Sequence, residues 1–375
     1  MSHASSFSAR LAGSARRSSH RGWVLPLAAA GSLFGSLLAL PAFASTLKVP
    51  HDYPTIQGAV DAAAPGDEIE VAKGKFCGAT ISKPLTLTSA KKGGATIIGC
   101  ASGPVLAGTP LRVGFLLPGA PGGSAASGSK IHGFVFDGKG VSNSNLSPLA
   151  FGVFARFVDK VTVEDNKFLG TVQAITNTAG DKWGISDNEI EGLTLFDCTG
   201  AFCGGGDGIV IQSASPAIAG PGGSEDPGNR PEANAVVDNQ IEGKAPAGFH
   251  VFGMDGIVML GADGTAVVEN KTKITAGASG DALAVGILVT NTCCADPNAF
   301  SPGSRYAALI QNQDQNSQFG IVVEGSGGTN TLGLILFKNL GTVRVEGAAP
   351  AALGTALRAA AVSPSPSSGL RNRFE

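Results

Sequence analysis

Two aspartates, each followed by glycine, are the residues of this sequence best placed for acid–base chemistry. Asp207 precedes Gly208 and Asp255 precedes Gly256, and each pair is followed by a short β-branched, apolar run. If the two segments are equivalent strands in adjacent layers, their carboxylates lie about 5 Å apart. At that distance one carboxyl has a raised pKa, and the spacing is similar to that of the two carboxyl groups of a retaining glycosidase. The pair could equally hold Ca²⁺ with loop oxygens or be two solvated turn residues.

The layers that this pair requires are indicated by a repeat of 22 residues. Gly152 and Asn166 mark one copy, and Ala174 and Asn188 mark the next. The same landmarks return at Gly208 and Asn239, Gly256 and Asn270, Gly286 and Asn312, and Gly320 and Asn339. The shortest glycine-to-asparagine interval is 14 residues and the others are longer, which indicates a fixed coil with loops inserted at two corners. Short β-rich repeats of this size predict a solenoid of stacked strands.

Alternation of side chains along each strand predicts one inward and one outward face. The inward residues are Ile209, Ile211, Ile257, Met259, Ile287, Val289, Ile321 and Val323. The outward residues form an apolar ladder of Phe154, Val210, Val258, Leu288 and Val322. Such a ladder favours a covering loop, a protein partner or sugar-ring packing over a row of catalytic charges. The asparagines are predicted to form a column at one turn, because Asn tolerates a left-handed backbone.

The beginning of the repeat region carries a recognisable family pattern. Residues 55–67 read TIQGAVDAAAPGD and residues 83–87 read KPLTL. With the downstream coils, these residues resemble the right-handed parallel β-helix, or pectin lyase-like, superfamily of pectin lyases, pectinesterases, polygalacturonases and NosD-like periplasmic proteins. The resemblance implies an all-β, single-stranded right-handed parallel β-helix, and the 22-residue period predicts about ten coils. No catalytic motif of these enzyme families is matched: residues 74–78 depart from the pectinesterase Gly-x-Tyr-x-Glu.

Residues 47–100 also contain a predicted cap. Thr55 is a plausible N-cap for a short helix with Ile56, Ala59, Val60 and Ala63 on one face. A helix of this kind can cover the apolar core and bare strand edges at the open end of a solenoid.

The ends of the chain differ in composition from the repeat region. Residues 1–44 contain four arginines, an apolar run over 23–40 and a final Ala-Phe-Ala, which predicts a secretory signal peptide; an uncleaved membrane anchor is the alternative. Residues 45–347 are the predicted β-helix domain. Residues 348–375, rich in Ala, Pro and Ser, are predicted to be a disordered tail or a weak cap. The protein is therefore expected to be secreted, periplasmic or on the cell surface.

Net charge argues against one class of partner, and the number of cysteines predicts disulfides. Without residues 1–44 the chain has 23 basic and 29 acidic residues, and this mildly acidic balance argues against nucleic acid. An even number of cysteines in an exported chain indicates disulfides. Cys77 and Cys100 are spaced to join neighbouring coils, and Cys198 and Cys203 to close a short loop. Cys293 and Cys294 form a vicinal disulfide or pair elsewhere.

The long intervals predict a loop-flanked groove over residues 189–305, because irregular loops on a rigid scaffold often carry binding residues. Its floor is predicted at the outward face of the strands at Gly208, Gly256 and Gly286. Further candidate groove residues are Glu225, Asp226, Arg230, His250, Asp281, Asp296 and Arg305. The resemblance implies that the groove binds or processes polysaccharide, as a polysaccharide lyase or glycoside hydrolase if the protein is an enzyme. The alternative is a non-catalytic periplasmic or surface scaffold or adhesion protein that binds a protein partner.

Overall fold

The structure is a computed structural model that describes residues 44–196, 205–214, 230–245, 253–275, 284–290, 304–325 and 334–347. Helix α1 spans Ile56–Ala62, between strands β1 (Thr46–Val49) and β2 (Glu68–Val71). The next strands are β3 (Gly74–Cys77), β4 (Ala79–Thr80), β5 (Thr86–Ser89), β6 (Ala95–Ile98), β7 (Arg112–Leu117), β8 (Lys130–His132), β9 (Val135–Asp137), β10 (Leu149–Arg156), β11 (Thr162–Glu164), β12 (Lys167–Leu169), β13 (Gln173–Thr178), β14 (Gly184–Ser186) and β15 (Glu189–Leu193). The last are β16 (Gly206–Gln212), β17 (Ala235–Val237), β18 (Gln240–Lys244), β19 (Met254–Leu260), β20 (Ala266–Val268), β21 (Lys271–Thr275), β22 (Ala284–Thr290), β23 (Ala308–Ile310), β24 (Gln313–Asp314), β25 (Phe319–Gly325), β26 (Ile335–Phe337) and β27 (Val343–Gly347).

The strands form three parallel sheets. Sheet A has the order β1-β2-β5-β8-β11-β14-β17-β20-β23-β26, sheet B runs from β3 to β24, and sheet C runs from β4 to β27. Each full coil passes through sheet C, then sheet A, then sheet B, as β10, β11 and β12 do before β13 pairs with β10. This is the right-handed parallel β-helix that the repeat and the family resemblance predicted.

Inward side chains from successive coils stack to form the core. In sheet A, Val163, Ile185, Val236 and Val267 are paired in register and buried. In sheet B, the rings of Phe136 and Phe168 stack with their centroids 4.6 Å apart. All eight residues predicted to point inward from the downstream strands of sheet C are buried. Burial of each such side chain stabilises the fold by roughly 1.5–3 kcal/mol.

The asparagines form the predicted column, at the corner between sheets A and B. The backbone N–H of Asn188 donates to Oδ1 of Asn239 at 3.0 Å, and the side-chain Nδ2 donates to the same oxygen at 2.9 Å. The same pattern joins Asn166, Asn188, Asn239, Asn270, Asn312 and Asn339, all of them buried.

The left-handed backbone at this corner belongs to a different residue from the one predicted. The residue before each asparagine has positive φ, as at Asp187 (55°) and Asp238 (54°). This turn aims the asparagine side chain inward, where it hydrogen-bonds the next rung. The column was predicted correctly, and the assignment of the left-handed position to Asn was wrong.

The N-terminal end is covered as predicted. The Thr55 side chain accepts a hydrogen bond from the N–H of Gly58 at 3.1 Å, and α1 buries Ile56, Ala59 and Val60 against β1, β2 and β4. A disulfide joins Cys77, the last residue of β3, to Cys100, which follows the neighbouring strand β6, with Cα atoms 5.5 Å apart.

Several predictions fall outside the described residues. These are the signal peptide apart from Ala44, residues 348–375, and the cysteines Cys198, Cys203, Cys293 and Cys294.

Candidate functional site

Sheet C brings the two predicted aspartates together. Asp207 of β16 and Asp255 of β19 are paired in register, so their Cα atoms are about 4.8 Å apart across the parallel pair. Gln173 of β13 is the register partner of Asp207 on the other side. The sequence repeat therefore placed both carboxylates correctly, in the same position of adjacent coils.

The glycines after these aspartates do not form the floor of a groove. A Cβ atom on Gly208 would collide with the carbonyl oxygen of Gly256 and lie 2.7 Å from Cγ2 of the core residue Ile241. At Gly286 it would lie 2.5 Å from Oγ1 of Thr272 in sheet B. The glycines face inward at the corner where the chain passes from sheet B to sheet C, and the backbones approach too closely there for a side chain. The predicted groove floor, the outward face of the strands at these positions, therefore does not include the glycines themselves.

The outward apolar ladder exists in the predicted register but is interrupted and largely covered. Thr176 stands between Phe154 and Val210. Val210, Val258 and Val322 are only 3%, 9% and 4% exposed. The ladder is thus mostly buried within the chain itself, and of the predicted members Phe154 and Leu288 keep more accessible surface.

Besides the aspartates and the apolar ladder, a third column of outward residues lies at the C-terminal ends of strands β10, β13 and β16. Arg156, Thr178 and Gln212 are paired in register, and Nε2 of Gln212 donates to Oγ1 of Thr178 at 2.9 Å. The guanidinium of Arg156 lies 5.1 Å from the centroid of the Phe157 ring. Burial lowers the pKa of Arg156, although a guanidinium remains charged.

A chain of hydrogen bonds leads to Asp207. The Thr176 hydroxyl donates to Oε1 of Gln173 at 2.7 Å, and Nε2 of Gln173 donates to Oδ2 of Asp207 at 2.9 Å. Although Asp207 keeps part of its surface exposed, the protein atoms around its carboxyl raise its pKa to about 7 by desolvation, and the bond from Gln173 opposes that rise. Asp207 is therefore protonated in a large fraction of molecules near neutral pH, beside Asp255, which is 8% exposed.

Five partly exposed side chains lie on the outer face of three successive strands of sheet C, from Gln173 and Asp207 at one end of the strands to Arg156 and Gln212 about 17 Å away at the other, since a strand rises about 3.3 Å per residue. We call this group the sheet C patch: Phe154 and Arg156 of β10, Gln173 of β13, and Asp207 and Gln212 of β16, all partly exposed. Sequence reasoning did not name Gln173, Arg156 or Gln212 as site residues. The 22-residue spacing from Phe151 to Gln173 marked the position of Gln173, but its copy carries Gln-Ala where the next two copies carry Asp-Gly.

Two other predicted groove residues lie elsewhere. Nη1 of Arg230 is 2.9 Å from Oδ1 of Asp263 in a buried ion pair. Arg305 pairs with Asp263 through its backbone. Both arginines lie at the corner that follows sheet C, beyond the C-terminal ends of its strands, whereas Asp207 lies at the N-terminal end of β16.

The remaining predicted groove residues lie outside the described part of the chain. These are Glu225, Asp226, His250, Asp281 and Asp296.

Two further properties concern the described residues only. They contain no group of three or more His, Cys, Asp or Glu side chains arranged to hold a metal ion. Within them, no helix has both the length and the apolar character needed to cross a membrane.

Comparison with known proteins defines the chain by its fold. No protein-family model and no curated protein sequence matches it. PfbA, a surface adhesin of Streptococcus pneumoniae, is similar with a TM-score of 0.50 and 12% identity, over 77% of this chain and 75% of PfbA. An alginate lyase from Paenibacillus sp. is similar with a TM-score of 0.46 and 14% identity, over 81% of this chain and 99% of the lyase. Rice weevil pectin methyl esterase gives 0.44 and 11%, over 78% and 87%. At these identities the likeness concerns the fold alone, the parallel β-helix that the three sheets of this chain form.

Proposed function

We propose that this protein is exported and binds a polysaccharide at the sheet C patch. Fold alone does not define activity, so the proposal rests on one observation. That observation is the in-register pair Asp207 and Asp255, with Asp207 hydrogen-bonded to Gln173 and Gln173 to the Thr176 hydroxyl, on the face of sheet C that also carries the half-exposed ring of Phe154.

The patch offers the contacts that a sugar requires. The face of Phe154, steadied by an edge-to-face contact with Phe151 at 5.5 Å, is apolar and fits the C–H face of a pyranose ring. The amides of Gln173 and Gln212 both donate and accept, as sugar hydroxyl groups do. Asp207 adds an acceptor when ionised and a donor when protonated. An aromatic platform with a few convergent polar groups is the usual composition of a ligand site.

A hydrolytic role is the second candidate, and the raised pKa of Asp207 favours it. Protonated Asp207 would give its proton to the glycosidic oxygen as that C–O bond breaks, while the Asp255 carboxylate forms a bond to the anomeric carbon. Water would then displace Asp255 and return a proton to Asp207. The low exposure of Asp255 limits access to the anomeric carbon, and for this reason binding is the leading proposal.

A non-catalytic scaffold that binds a protein partner is the third candidate. It is favoured by the outer face of sheet A, where Val237, Val268 and Ile310 stack in register and remain partly exposed. Contiguous apolar surface of this kind often marks a protein interface.

Binding is tested on a panel of neutral and uronate polysaccharides with the wild type, Phe154→Ala and Gln173→Ala. The matched control is Gln240→Ala, which removes an exposed amide from the outer column of sheet B. We expect each patch variant to lose at least tenfold in affinity, since an aromatic contact or a charge-assisted hydrogen bond contributes about 1.4 kcal/mol or more, and the control to bind as the wild type does. Equal losses in Gln173→Ala and Gln240→Ala would contradict the site, and binding to no polysaccharide would leave the scaffold as the better candidate.

Cleavage is tested separately, by release of reducing ends. Asp207→Asn and Asp255→Asn are each compared with Asp137→Asn on the outer face of sheet B. If cleavage is present and survives both patch substitutions, the pair is not the catalyst.

A further inference from the structure

The outer face of sheet A changes from polar to apolar between β14 and β17. In the earlier strands the outward positions are mostly polar, as at Glu68, Lys130, Glu164 and Ser186. In the last four strands every outward position is apolar, and we call this surface the apolar face. It consists of Ala235 and Val237 of β17, Ala266 and Val268 of β20, Ala308 and Ile310 of β23, and Ile335 and Phe337 of β26, all in register and at least partly exposed.

The apolar face is exposed to an unusual degree for this chain. Ile335 and Phe337 are 58% and 46% exposed, and they are two of the five large apolar side chains that are exposed in the described part of the chain. Three of the four strands have alanine at the first outward position, so another surface can approach closely there. Contiguous apolar surface of this kind favours burial against another macromolecule.

The border of the apolar face at the corner between sheets A and B changes sign along the stack of coils. Asp238 follows β17 and Glu269 follows β20, whereas Gln311 follows β23 and Lys338 follows β26. All four side chains are exposed. The first two coils are therefore negative at this border, the third is neutral and the fourth is positive.

The opposite border, at the corner between sheets C and A, changes in the same direction. Glu232 and Asp263 precede β17 and β20, and Arg305 precedes β23. Both borders of the apolar face are thus acidic in its first two coils and lose or reverse that charge in the following coils.

This charge pattern is complementary to a second copy of itself in one arrangement. A two-fold axis along the strands, between β20 and β23, reverses the order of the coils and keeps each border on its own side. Asp238 of one copy then lies opposite Lys338 of the other, and Asp263 lies opposite Arg305. Opposite charges across an interface fix its register and exclude other arrangements.

The other two-fold arrangement of the same faces brings like charges together. An axis along the stack of coils exchanges the two borders and keeps the order of the coils. Asp238 of one copy would then face Glu232 of the other, and Glu269 would face Asp263. Juxtaposed like charges oppose association, so the charges favour the axis along the strands.

The size of the apolar face fits a weak association. Four strands span about 19 Å and the six steps from Glu232 to Asp238 span about 20 Å, which gives an outline of roughly 400 Å² on each copy. A stable interface of standard size buries about 800 Å² on each partner. A contact of this size is therefore expected to be reversible, and a two-fold contact closes as a dimer.

We propose that this protein forms a reversible two-fold dimer through the apolar face of sheet A, with the strands of both copies running in the same direction and Asp238 of each copy opposite Lys338 of the other. The two layers pack about 10 Å apart, as facing sheets do. A different protein or a polysaccharide is the competing occupant of this face.

Sedimentation velocity of the full chain over a range of concentrations tests the proposal by exchanging charges. Asp238→Lys and Lys338→Asp each place like charges at two symmetric contacts, so we expect each to raise the dimer Kd about tenfold. The double variant restores opposite charges, and we expect its Kd to lie within threefold of the wild type. Both residues have the same left-handed backbone, with φ of 54° and 50°, so each position accepts the exchanged residue.

A control for net charge is Asp137→Lys, which makes the same change of charge on the outer face of sheet B. We expect it to leave the Kd within twofold of the wild type. Within one molecule Asp238 and Lys338 are three coils, or about 14 Å, apart, so recovery in the double variant reports a contact between copies.

A second set of variants locates the contact. Val268→Asp puts a charge in the centre of the apolar face, and we expect it to abolish dimer formation. Val135→Asp makes the same substitution at a partly exposed valine on the outer face of sheet B, and Leu340→Asp makes a similar one at an exposed apolar residue beyond the apolar face. Both are expected to associate as the wild type does.

Three results would overturn the proposal. A wild type that is monomeric at every concentration would assign the apolar face to a different partner. A double charge variant that associates no better than the two single variants would remove the proposed register. Loss of the dimer in Leu340→Asp but not in Val268→Asp would place the contact at the end of the solenoid. None of these results bears on glycan binding at the sheet C patch, which lies on a different sheet.

Discussion

Two of the stacks of polar side chains in the described part of the solenoid, the asparagines and the aspartates, differ in chemistry. At the corner between sheets A and B, the asparagine column runs through six coils, and its hydrogen bonds continue from one rung to the next. On the outer face of sheet C, the aspartate stack has two rungs, Asp207 and Asp255. One stack is deeply buried, whereas the other borders accessible surface.

Donor and acceptor capacity accounts for the different roles. A side-chain amide carries both a donor and an acceptor, so a column of amides can hydrogen-bond to itself without limit. An ionised carboxylate only accepts, so two stacked carboxylates require a proton, a donor such as Gln173 or an incoming ligand. The amide column is therefore a structural element, and the carboxylate stack can respond to pH and to ligands.

The largest predicted effect is the loss of one rung of the asparagine column. Asn239→Ala removes the acceptor for the N–H of Asn188 and the donors to Ile185 O and Val237 O. Because these groups are buried, we expect the free energy of unfolding to fall by about 3–4 kcal/mol, measured by urea denaturation. Asn145→Ala, at an exposed asparagine, is the control and is expected to lower the free energy of unfolding by less than about 1 kcal/mol. A similar loss in both variants would show that the asparagine column does not stabilise the fold.

The next effect concerns the glycine that positions the aspartate stack. Gly208→Ala places a methyl group against Gly256 O and Ile241, and we expect a loss of about 2 kcal/mol from overpacking. Gly184→Ala is the matched control, since an added Cβ there meets nothing within 4 Å. Thermal unfolding of the two variants measures the difference, and equal stability would mean that the corner is not closely packed.

Asp207→Asn tests the carboxylate stack through pH. Burial raises the folded-state pKa of Asp207 to about 7, above its unfolded value near 3.9. Between these values the folded state binds the additional proton, so the wild type loses stability as pH rises from about 4 to 7 and the penalty is constant above that range.

The neutral variant is therefore expected to be more stable than the wild type at pH 8, by on the order of 2 kcal/mol once partial solvent exposure is allowed for. The two proteins should be equally stable near pH 4. Melting temperatures across this range measure the difference, and a difference independent of pH would argue against a protonated Asp207.

The smallest effect sharpens the same comparison. Gln173→Ala removes the hydrogen bond that lowers the pKa of Asp207. We expect the midpoint of the change in melting temperature with pH to move upward by roughly half a pH unit. The same melting curves measure this movement. A downward movement would show that Gln173 does not stabilise the charged form.

Much of the β-helix could be predicted from the sequence, because residues at equivalent positions of the repeat lie next to one another when the coils stack. The recurring glycine and asparagine landmarks placed Asp207 beside Asp255 and aligned the asparagines from Asn166 onward. Alternation identified inward residues such as Ile209 and Ile257, and helix capping identified Thr55. Each of these features depends on contacts between equivalent positions of neighbouring coils.

The features that were missed depend on the corners and on distant chain segments. Strict alternation does not reveal that Gly208 and Ile209 both face inward, because the chain bends between them. It also does not reveal that Val210 and Val258 are covered, since burial of an outward face depends on residues remote in sequence. Gln173 was missed because its coil matches the others in position and not in residue type.

The corner that bears the asparagines has the same length in five successive coils. Two residues separate sheet A from sheet B there, at 165–166, 187–188, 238–239, 269–270 and 311–312, while the segments before and after sheet C vary. The corner between sheets A and B is thus constant in length, and the other two corners accept segments of different lengths. Replacing whole loops at those two corners should therefore change the binding surface of the protein and leave the stacking of the coils unchanged.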